Sequence, residues 1–379
     1  MNEFLEEILS QGLALQRTLD FITDNMNVIF GAIKNLVQKK SISRFVFTGM
    51  GSSYFSCYVP YYMLKQKGIN VEMLDSGEFL LHGFPENPDV IFQNTCIIMI
   101  SQSGESGEIV ELLKKFQSLK IKPLIIGVTN MPESYLATFS DKQLYLNAGS
   151  EKTVTSKTYV CSLLILYFFA KTIIFENFSD EIYLKEIAAV INNVSQLLPS
   201  THSSQLSHSL KNKSPIIQEF EKKFGNDYKF IQIMARGPSL STAYQAALNF
   251  KEIVKIKSEA SSLSTFRHGG IECLTEDSKL IIISSSTINH KLDNHFIRNL
   301  IDKWCFGSIF YITTQELNLI DEEIRTHPKI MVYSNKTQGT FLAPIVEIIT
   351  LQLIVYNTAV QRELIPGIFR FTQKITRGL

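Results

Sequence analysis

The stretch CIIMISQSGESGEIVELL, residues 96–113, contains the pattern that decides the fold. Residues 96–100 are continuously apolar, which is typical of a parallel strand that is buried on both faces. Residues 101–106 form a polar turn, and the apolar positions among residues 108–113 recur at helical spacing. The sequence therefore predicts a strand, a tight turn and a helix in direct succession.

The turn has the composition of an anion-binding site. It supplies the side chains of Ser101, Gln102, Ser103 and Ser106, and it opens onto the unpaired N–H groups of a helix N-terminus. These groups together favour phosphate as the ligand. Helix capping is the alternative role for the serines, but a cap needs one polar side chain rather than four. The turn contains no lysine, which excludes the nucleotide-binding P-loop.

A second part of the chain repeats the plan of the first. One strand-like run ends in Gly51-Ser52-Ser53, and another ends in Gly237-Pro238-Ser239. His82 and His268 follow Gly51 and Gly237 at the same interval of 31 residues. The repetition indicates a duplicated unit.

Strands and helices alternate along both copies. This pattern predicts an α/β fold with two doubly wound, flavodoxin-like parallel-sheet domains in tandem and helices on both faces. We place an N-terminal helical extension at residues 1–40, the first domain at 26–200, the second at 201–365 and a C-terminal tail at 366–379. The predicted strands cover residues 44–48, 97–100, 123–128, 143–146, 230–235, 280–283, 308–313 and 330–334, and two predicted helices cover 54–68 and 242–257. The polar stretch 200–214 is the expected seam, and His202 and His208 within it are expected to be surface residues.

The two copies differ at the carboxyl ends of their strands. In the first copy, the turn at Gly51, Ser52 and Ser53 and the turn at residues 101–106 can converge on one phosphate from neighbouring strands. In the second copy, residues 284–287 read Ser-Ser-Ser-Thr and lack the glutamine and the Gly-Glu pair. We expect that copy to be degenerate for phosphate, with serines that cap helices.

Composition excludes several classes of protein. A net charge of +1 offers no argument for binding nucleic acid or an anionic membrane. The longest apolar run, residues 160–170, is shorter than the roughly 20 residues that span a bilayer. Five cysteines are far apart, and Cys96 and Cys161 lie in apolar runs that predict buried free thiols. We therefore expect a cytoplasmic protein, and we see no ligand cluster that calls for a metal or another cofactor.

The chain resembles the SIS (sugar isomerase) domain family over roughly residues 26–379. It is most similar to the tandem-SIS isomerase half of glucosamine-6-phosphate synthase and to stand-alone sugar-phosphate deaminases and Amadori-product deglycases. Seven ordered motifs carry the resemblance: residues 51–53, 101–106, 127–130, 147–151, 251–253, 266–269 and 370–376.

The resemblance implies a role for each matching residue. Ser53, Ser101, Gln102, Ser103 and Ser106 would bind the sugar phosphate, in a site lined also by Gly51, Ser52 and Asn249. Glu252 would move a proton between C1 and C2, which requires a carboxylate able to take and return it. His268 would open the sugar ring from the neighbouring subunit, which implies a homodimer. Lys374 would form an imine with a ketose carbonyl.

Each of these roles has a simpler alternative. Glu252 could be a solvated helical carboxylate, and His268 could be a structural histidine, as we expect of His82. Lys374 could be an ordinary basic residue of the tail. Arg267 could be a surface charge or a dimer contact, and the sequence does not choose between them.

The chain departs from the synthases at residues that bear on the reaction. Gln245 and Asn249 replace a glutamate and a lysine, and they would face each other on one helix as a neutral pair. Loss of that cation is expected to raise the pKa of Glu252 relative to the synthases. Gly270 stands where many relatives have a proline, and we see no glutaminase sequence ahead of the first repeat.

These features favour an enzyme rather than a binding protein. We expect proton transfer between C1 and C2 of a 6-phosphorylated amino sugar or ketosamine, with release of ammonia or an amine as a further possibility. A fructosamine-6-phosphate (Amadori) deglycase is the alternative. A non-catalytic sugar-phosphate sensor is less favoured, because such SIS proteins usually carry a DNA-binding segment before a single SIS domain.

Overall fold

The computed structural model describes residues 2–178, 181–198, 215–337, 339–371, 373–376 and 378. The chain divides into two compact units. The first-sheet unit comprises Gln11–Ala188 and Arg370–Leu379, and the second-sheet unit comprises Met1–Ser10 and Ala189–Phe369. The predicted seam at residues 200–214, with His202 and His208, lies outside the described residues.

Ten strands and seventeen α-helices are described. The strands are β1 Arg44–Gly49, β2 Asn70–Asp75, β3 Thr95–Ile100, β4 Leu124–Thr129, β5 Lys142–Tyr145, β6 Phe230–Ala235, β7 Lys257–Ser262, β8 Lys279–Ser284, β9 Ser308–Thr313 and β10 Ile330–Ser334. The helices are α1 Glu3–Leu9, α2 Gln11–Asp24, α3 Gly31–Lys39, α4 Ser52–Ser56, α5 Tyr58–Gln66, α6 Ser76–Leu81, α7 Pro88–Phe92, α8 Gly107–Gln117, α9 Tyr135–Phe139, α10 Lys157–Ile174, α11 Glu181–Leu197, α12 Pro215–Phe224, α13 Leu240–Asn249, α14 Leu263–Phe266, α15 His290–Lys303, α16 Glu322–Thr326 and α17 Ala343–Gln361. Two π-helices cover Met26–Phe30 and Phe250–Val254.

Each unit contains one five-stranded parallel sheet. The strand order is β2-β1-β3-β4-β5 in the first and β10-β9-β8-β6-β7 in the second. Both orders have the flavodoxin-like form, in which the second strand of the copy lies outside the first. The predicted α/β class and the duplication are therefore confirmed.

Helices cover both faces of each sheet. On one face of the first sheet, Ile97 and Met99 pack with Phe116 of α8 in a buried cluster. On the other face, the Phe47 and Phe169 rings lie 6.0 Å apart, which joins β1 to α10. Such two-sided burial explains why the central strands read as continuous apolar runs rather than as alternating patterns.

The reversal of strand order in the first sheet lies between β1 and β3. Gly49, the last residue of β1, is paired in register with Ile100, the last residue of β3. A Cβ atom on Gly49 would lie 2.9 Å from the carbonyl oxygen of Ile100, so the close approach of the two strand ends requires glycine. The two turns that follow these strands therefore leave the sheet side by side.

The helices α10 and α17 are long and apolar enough to cross a membrane by composition alone. In each, 83% of the apolar window is buried inside the fold, so both are core helices. Cys96 and Cys161 are buried free thiols, as predicted. Burial raises the pKa of the Cys161 thiol to about 12.

The structure differs from the sequence-based expectation at four elements. The strands β2 and β7 were not predicted, because their sequences NVEMLD and KSEASS lack an apolar run. The predicted helix at 54–68 is divided into α4 and α5. The predicted helix at 242–257 begins at Leu240 and ends in the π-helix Phe250–Val254, and Lys257 begins β7 instead.

Candidate functional site

Residues 101–106, which we call the serine turn, follow β3, the central strand of the first sheet. They lie beside the point where the strand order reverses. Ser101 and Ser103 are only 3% and 6% exposed. The main-chain N–H of Ser101 donates to the carbonyl oxygen of Val128 at 3.0 Å, which ties the turn to β4. Ligands of doubly wound sheets bind outside the carboxyl ends of the strands at such a reversal.

Ser101 and Ser106 of this turn face each other, and Ser106 does not cap the helix. Ser106 is the N-cap residue of α8, but its hydroxyl makes no capping bond. It lies 3.2 Å from Ser101 Oγ, which also accepts the N–H of Gly104 at 3.1 Å. At the helix start, the N–H of Gly107 donates to the carbonyl oxygen of Thr376 in the tail at 3.2 Å. The capping interpretation of Ser106 is therefore wrong.

Gly104 sets the shape of the turn. Its φ of 65° is left-handed, and a Cβ atom there would lie 2.1 Å from Ser134 Oγ. The neighbouring Glu105 accepts the main-chain N–H of Tyr135 through Oε1 at 2.6 Å. The turn is thereby held against the start of α9.

The second predicted phosphate turn begins at the end of β1. Gly51 is the N-cap residue of α4, and Ser52 and Ser53 form its first turn, where both are half-buried. Because β1 and β3 are adjacent and in register, Ser53 and Ser101 lie at the same edge of the sheet. Their common role in binding phosphate remains a prediction.

A cavity of about 860 Å³ lies within the first-sheet unit, next to the serine turn. Its walls come from α2, from the serine turn, from the loops after β4 and β5, and from the C-terminal tail. The lining residues include Gln102, Ser103, Glu151 and Lys374. Two predicted phosphate ligands and the predicted imine-forming lysine thus line one cavity.

Lys374 is held by a buried carboxylate. Its Nζ lies 2.9 Å from Glu151 Oε2 and donates to the carbonyl oxygen of Thr153 at 2.6 Å. Glu151 also accepts the main-chain N–H groups of Ser156 and Thr158, at 2.9 and 3.0 Å. These N–H groups lie at the beginning of α10, where the helix itself offers them no acceptor. An ammonium held in this way has no lone pair for a carbonyl, so imine formation would require the pair to separate.

Glu252 is half-buried and lies in the π-helix Phe250–Val254 that continues α13. The amine of Lys255 donates to the main-chain oxygen of Glu252 and to that of Ile368, the latter at 2.7 Å. Single π-helical turns occur frequently at functional sites. This irregularity is a second reason, besides the resemblance, to single out Glu252.

The predicted pair one turn earlier is present. Gln245 Nε2 donates to Asn249 Oδ1 at 3.4 Å, and both side chains are fully buried. Gln245 Oε1 and Asn249 Nδ2 have no hydrogen-bond partner among the described residues. The pair is therefore neutral and only partly satisfied.

His268 is exposed at the end of α14. Its main-chain N–H donates to the carbonyl oxygen of Thr265 at 2.9 Å. Within the described residues, no hydrogen bond or ion pair of its imidazole is found, and the same holds for the exposed His82. Neither histidine thus makes the structural bond to a carbonyl that was its alternative role. Arg267 is also exposed, which leaves its role open.

No group of three or more metal-ligating side chains occurs in the part of the chain that the structure describes. Residues 36–171 match the family model of the SIS domain. This segment of the chain is a SIS domain. The second sheet of the chain repeats the strand order of the first, so the fold consists of two SIS-like units in tandem.

Relatives of the chain are found among curated sequences and among solved structures. The chain is 25% identical over 363 residues to an isomerizing glutamine–fructose-6-phosphate aminotransferase of Sulfolobus acidocaldarius. The aligned region covers 96% of this chain and 54% of that protein. The chain spans about half the length of the curated relatives that it matches over most of its own length.

Solved structures share the fold. The C-terminal domain of the Francisella tularensis glucosamine-fructose-6-phosphate aminotransferase aligns with a TM-score of 0.75 at 21% identity, over 96% of both chains. A glucosamine-6-phosphate deaminase of Thermotoga maritima aligns with a TM-score of 0.68 at 18% identity, over 98% and 99%. The chain thus shares its fold with the C-terminal domain of an aminotransferase and with a deaminase.

Sequence reasoning gave no role to two buried carboxylates of this SIS fold. Glu151 stands in a motif that carried the resemblance, five residues before the N-cap of α10, and that position was the available signal. Glu347 lies inside the apolar helix α17, where a single charged residue was the only sign. It accepts hydrogen bonds from the hydroxyl groups of Ser239 and Thr242.

Proposed function

We propose that the protein is a phosphosugar-processing SIS enzyme that transfers a proton between C1 and C2 of a 6-phosphorylated amino sugar or ketosamine. The observation that carries the proposal is the pair of hydroxyls of Ser101 and Ser106. They lie 3.2 Å apart at the start of α8, beside the strand reversal, and the Ser106 hydroxyl makes no bond to its own helix. Serine hydroxyls arranged in this way suit phosphate oxygens, which accept several hydrogen bonds.

The remaining roles follow from residue chemistry and from the resemblance. Gln102, Ser103 and Ser53 add donors around the phosphate. Glu252 removes a proton from one carbon and returns it to the neighbouring carbon. The exposed imidazole of His268 acts on the ring oxygen in a homodimer, where it would serve the site of the partner subunit.

The amine chemistry points to hydrolytic release rather than to amide transfer. The curated relatives carry the name of an aminotransferase, and the resemblance gives the synthases a glutamate and a lysine where this chain has Gln245 and Asn249. The buried pair Gln245 and Asn249 is neutral. We therefore favour the release of ammonia or of an amine from C2 or C1, with fructosamine-6-phosphate deglycation as the second candidate.

The direct test is a substrate panel. Purified protein is incubated with fructose 6-phosphate, glucosamine 6-phosphate and fructosamine 6-phosphates, and both ammonia and hexose phosphates are measured. Exchange of solvent deuterium into C1 or C2 reports proton transfer even without net turnover. Binding of these ligands without exchange or product would overturn the enzyme assignment and favour a sensor.

The expected location is the cytoplasm. Cys57, Cys96 and Cys161 are buried as free thiols, which fits a reducing compartment.

A further inference from the structure

Glu347 is a carboxyl group in the interior of the second-sheet unit. The residue is 0% exposed, and it is the single charged residue of α17. Ser239 Oγ donates to Glu347 Oε1 at 2.9 Å, and Thr242 Oγ1 donates to Oε2 at 2.6 Å. Burial of an ionisable group in such a place is costly unless its hydrogen bonds are satisfied.

The partners of Glu347 correspond to phosphate-turn residues of the first copy. Ala235, the last residue of β6, is paired in register with Ile283 of β8, as Gly49 is paired with Ile100. Ser239 lies four residues after Ala235, as Ser53 lies four residues after Gly49, so Ser239 corresponds to Ser53.

The residues after Ile283 correspond in the same way to the residues after Ile100. Ser284 corresponds to Ser101, and Ser285 corresponds to Gln102. The Ser285 hydroxyl has no hydrogen-bond partner among the described residues, yet it lies near enough to the carboxyl group to lower its pKa. The carboxyl group therefore faces the equivalents of two predicted phosphate ligands.

No serine among residues 284–287 is the N-cap residue of the helix that follows them, α15, so the capping role expected of these serines is wrong. Ser239 is the N-cap residue of α13 and makes no side-chain capping bond. The turn after β8 leads into α15, whose N-cap residue Asn289 makes none either. The hydroxyl of Ser239 is used instead by Glu347. In the first copy, the corresponding core helix α10 contains no acidic residue between Lys157 and Ile174.

We propose that Glu347 fills the anion position of the second copy from within, so that the chain keeps a single phosphate-binding turn. The side chain takes the hydroxyls that would otherwise face a ligand, and it excludes phosphate by occupancy. Its removal should leave an anion site built from Ser239, Thr242 and Ser285. The comparison with the first copy rests on the phosphate role proposed above.

The test uses the full chain and inorganic phosphate as the probe. Ser101→Ala weakens the first turn, and Glu347→Ala is added to open the second. The double variant should bind one equivalent of phosphate that Ser101→Ala alone and Ser101→Ala/Glu347→Gln do not bind. Its Tm should rise by about 2–4 °C in roughly 10 mM phosphate, relative to chloride at matched ionic strength.

Further outcomes keep the two proposals apart. Glu347→Ser replaces the alanine variant if that one does not fold. No phosphate-dependent gain in either variant overturns the inference, and so does stabilisation by formate alone, which would indicate a plain carboxyl pocket. A wild-type chain that binds no phosphate contradicts the proposed function. The gain in the Glu347 variants would then still be measurable.

Discussion

Lys374 Nζ lies 2.9 Å from Glu151 Oε2 and so joins the C-terminal tail to the start of α10. The carboxylate side chain is fully buried, whereas 17% of the lysine side chain is exposed. Four further hydrogen bonds from Ser156 and Thr158 hold Glu151. The two residues of the pair are therefore unequal, because Glu151 is fixed in the core, whereas the Lys374 side chain is partly exposed and can move away.

This inequality predicts different costs for the two truncations. Glu151→Ala leaves the buried donors of α10 and the Lys374 amine unpaired, and should lower the free energy of unfolding by about 3–5 kcal/mol. Lys374→Ala leaves the carboxylate held and should cost about 1 kcal/mol. Urea unfolding gives both values. Equal losses would contradict this account, and a stable Lys374→Ala variant without turnover would support a chemical role for the amine.

The serine turn predicts a loss of phosphate binding that is specific to its position. Ser101→Ala and Ser106→Ala each remove one hydroxyl, and each should weaken binding of a sugar phosphate about tenfold or more, since hydrogen bonds to charged groups contribute about 1.5–3 kcal/mol. Ser118→Ala is the matched control, at the other end of α8, where the hydroxyl bonds to the carbonyl oxygen of Lys115. Calorimetric titration measures all three. Equal affinities in all variants would remove the turn from the site.

The carboxylate of Glu252 can be tested without a change of shape. Glu252→Gln should leave ligand affinity within about twofold and lower turnover by about 10²–10⁴-fold, the usual contribution of a general base. Glu259→Gln, at an exposed position of β7, is the control. Deuterium exchange at C1 and C2 provides the measurement. Normal exchange in Glu252→Gln would show that another group moves the proton.

Two glycines with similar backbone angles separate strain from packing. Gly68 has a φ of 72° with nothing within 4 Å of its Cβ position, whereas the Cβ position of Gly104 overlaps Ser134. Gly68→Ala should cost about 1–2 kcal/mol from the left-handed conformation alone. Gly104→Ala should cost about 1–3 kcal/mol more and weaken phosphate binding, because the turn must move. If thermal unfolding gives the same cost at both sites, the contact with Ser134 is not rigid.

The buried Glu347 predicts a pH dependence of stability. Burial raises the pKa of Glu347, and hydroxyls of Ser285, Thr242 and Ser239 offset only part of this rise. The folded state therefore binds the proton more tightly than the unfolded state, whose carboxyl titrates near 4.5. The resulting stability is fully present below that pH and is lost as the pH rises through the higher folded pKa.

The matched variant isolates this contribution. Glu347→Gln removes the titration and keeps a hydrogen-bonding side chain of the same length. The difference in urea midpoint between the variant and the wild type should grow in favour of the variant as the pH rises from about 4.5. A constant difference would mean that Glu347 does not titrate over that range.

Apolar runs made the interior strands visible in the sequence. β3, β6 and β9 are covered on both faces, so most of their residues are apolar. The edge strands β2 and β7 could not be found in this way, because half-exposed residues such as those of β7 carry no apolar run. They are strands because β1 and β6 present free main-chain groups for them to pair with.

The candidate site divides in the same manner. Residue type and order in the stretch 101–106 were enough to predict an anion-binding turn. The hydroxyl pair of Ser101 and Ser106, and the use of Ser239 by Glu347, depend on side chains that meet across the fold. Ser53 and Ser239 occupy corresponding positions in the two copies. They are distinguished by the carboxyl group of Glu347, which accepts the hydroxyl of Ser239.

The sequence by itself thus determined the class of fold, the duplication and the position of the serine turn. These depend on local patterns, since burial on two faces, helix starts and tight turns each require particular residues nearby in the chain. The tertiary structure alone decided which hydroxyls remain available to a ligand and which carboxylate holds Lys374. Those outcomes depend on contacts between residues more than 100 positions apart, such as Ser239 with Glu347 and Glu151 with Lys374.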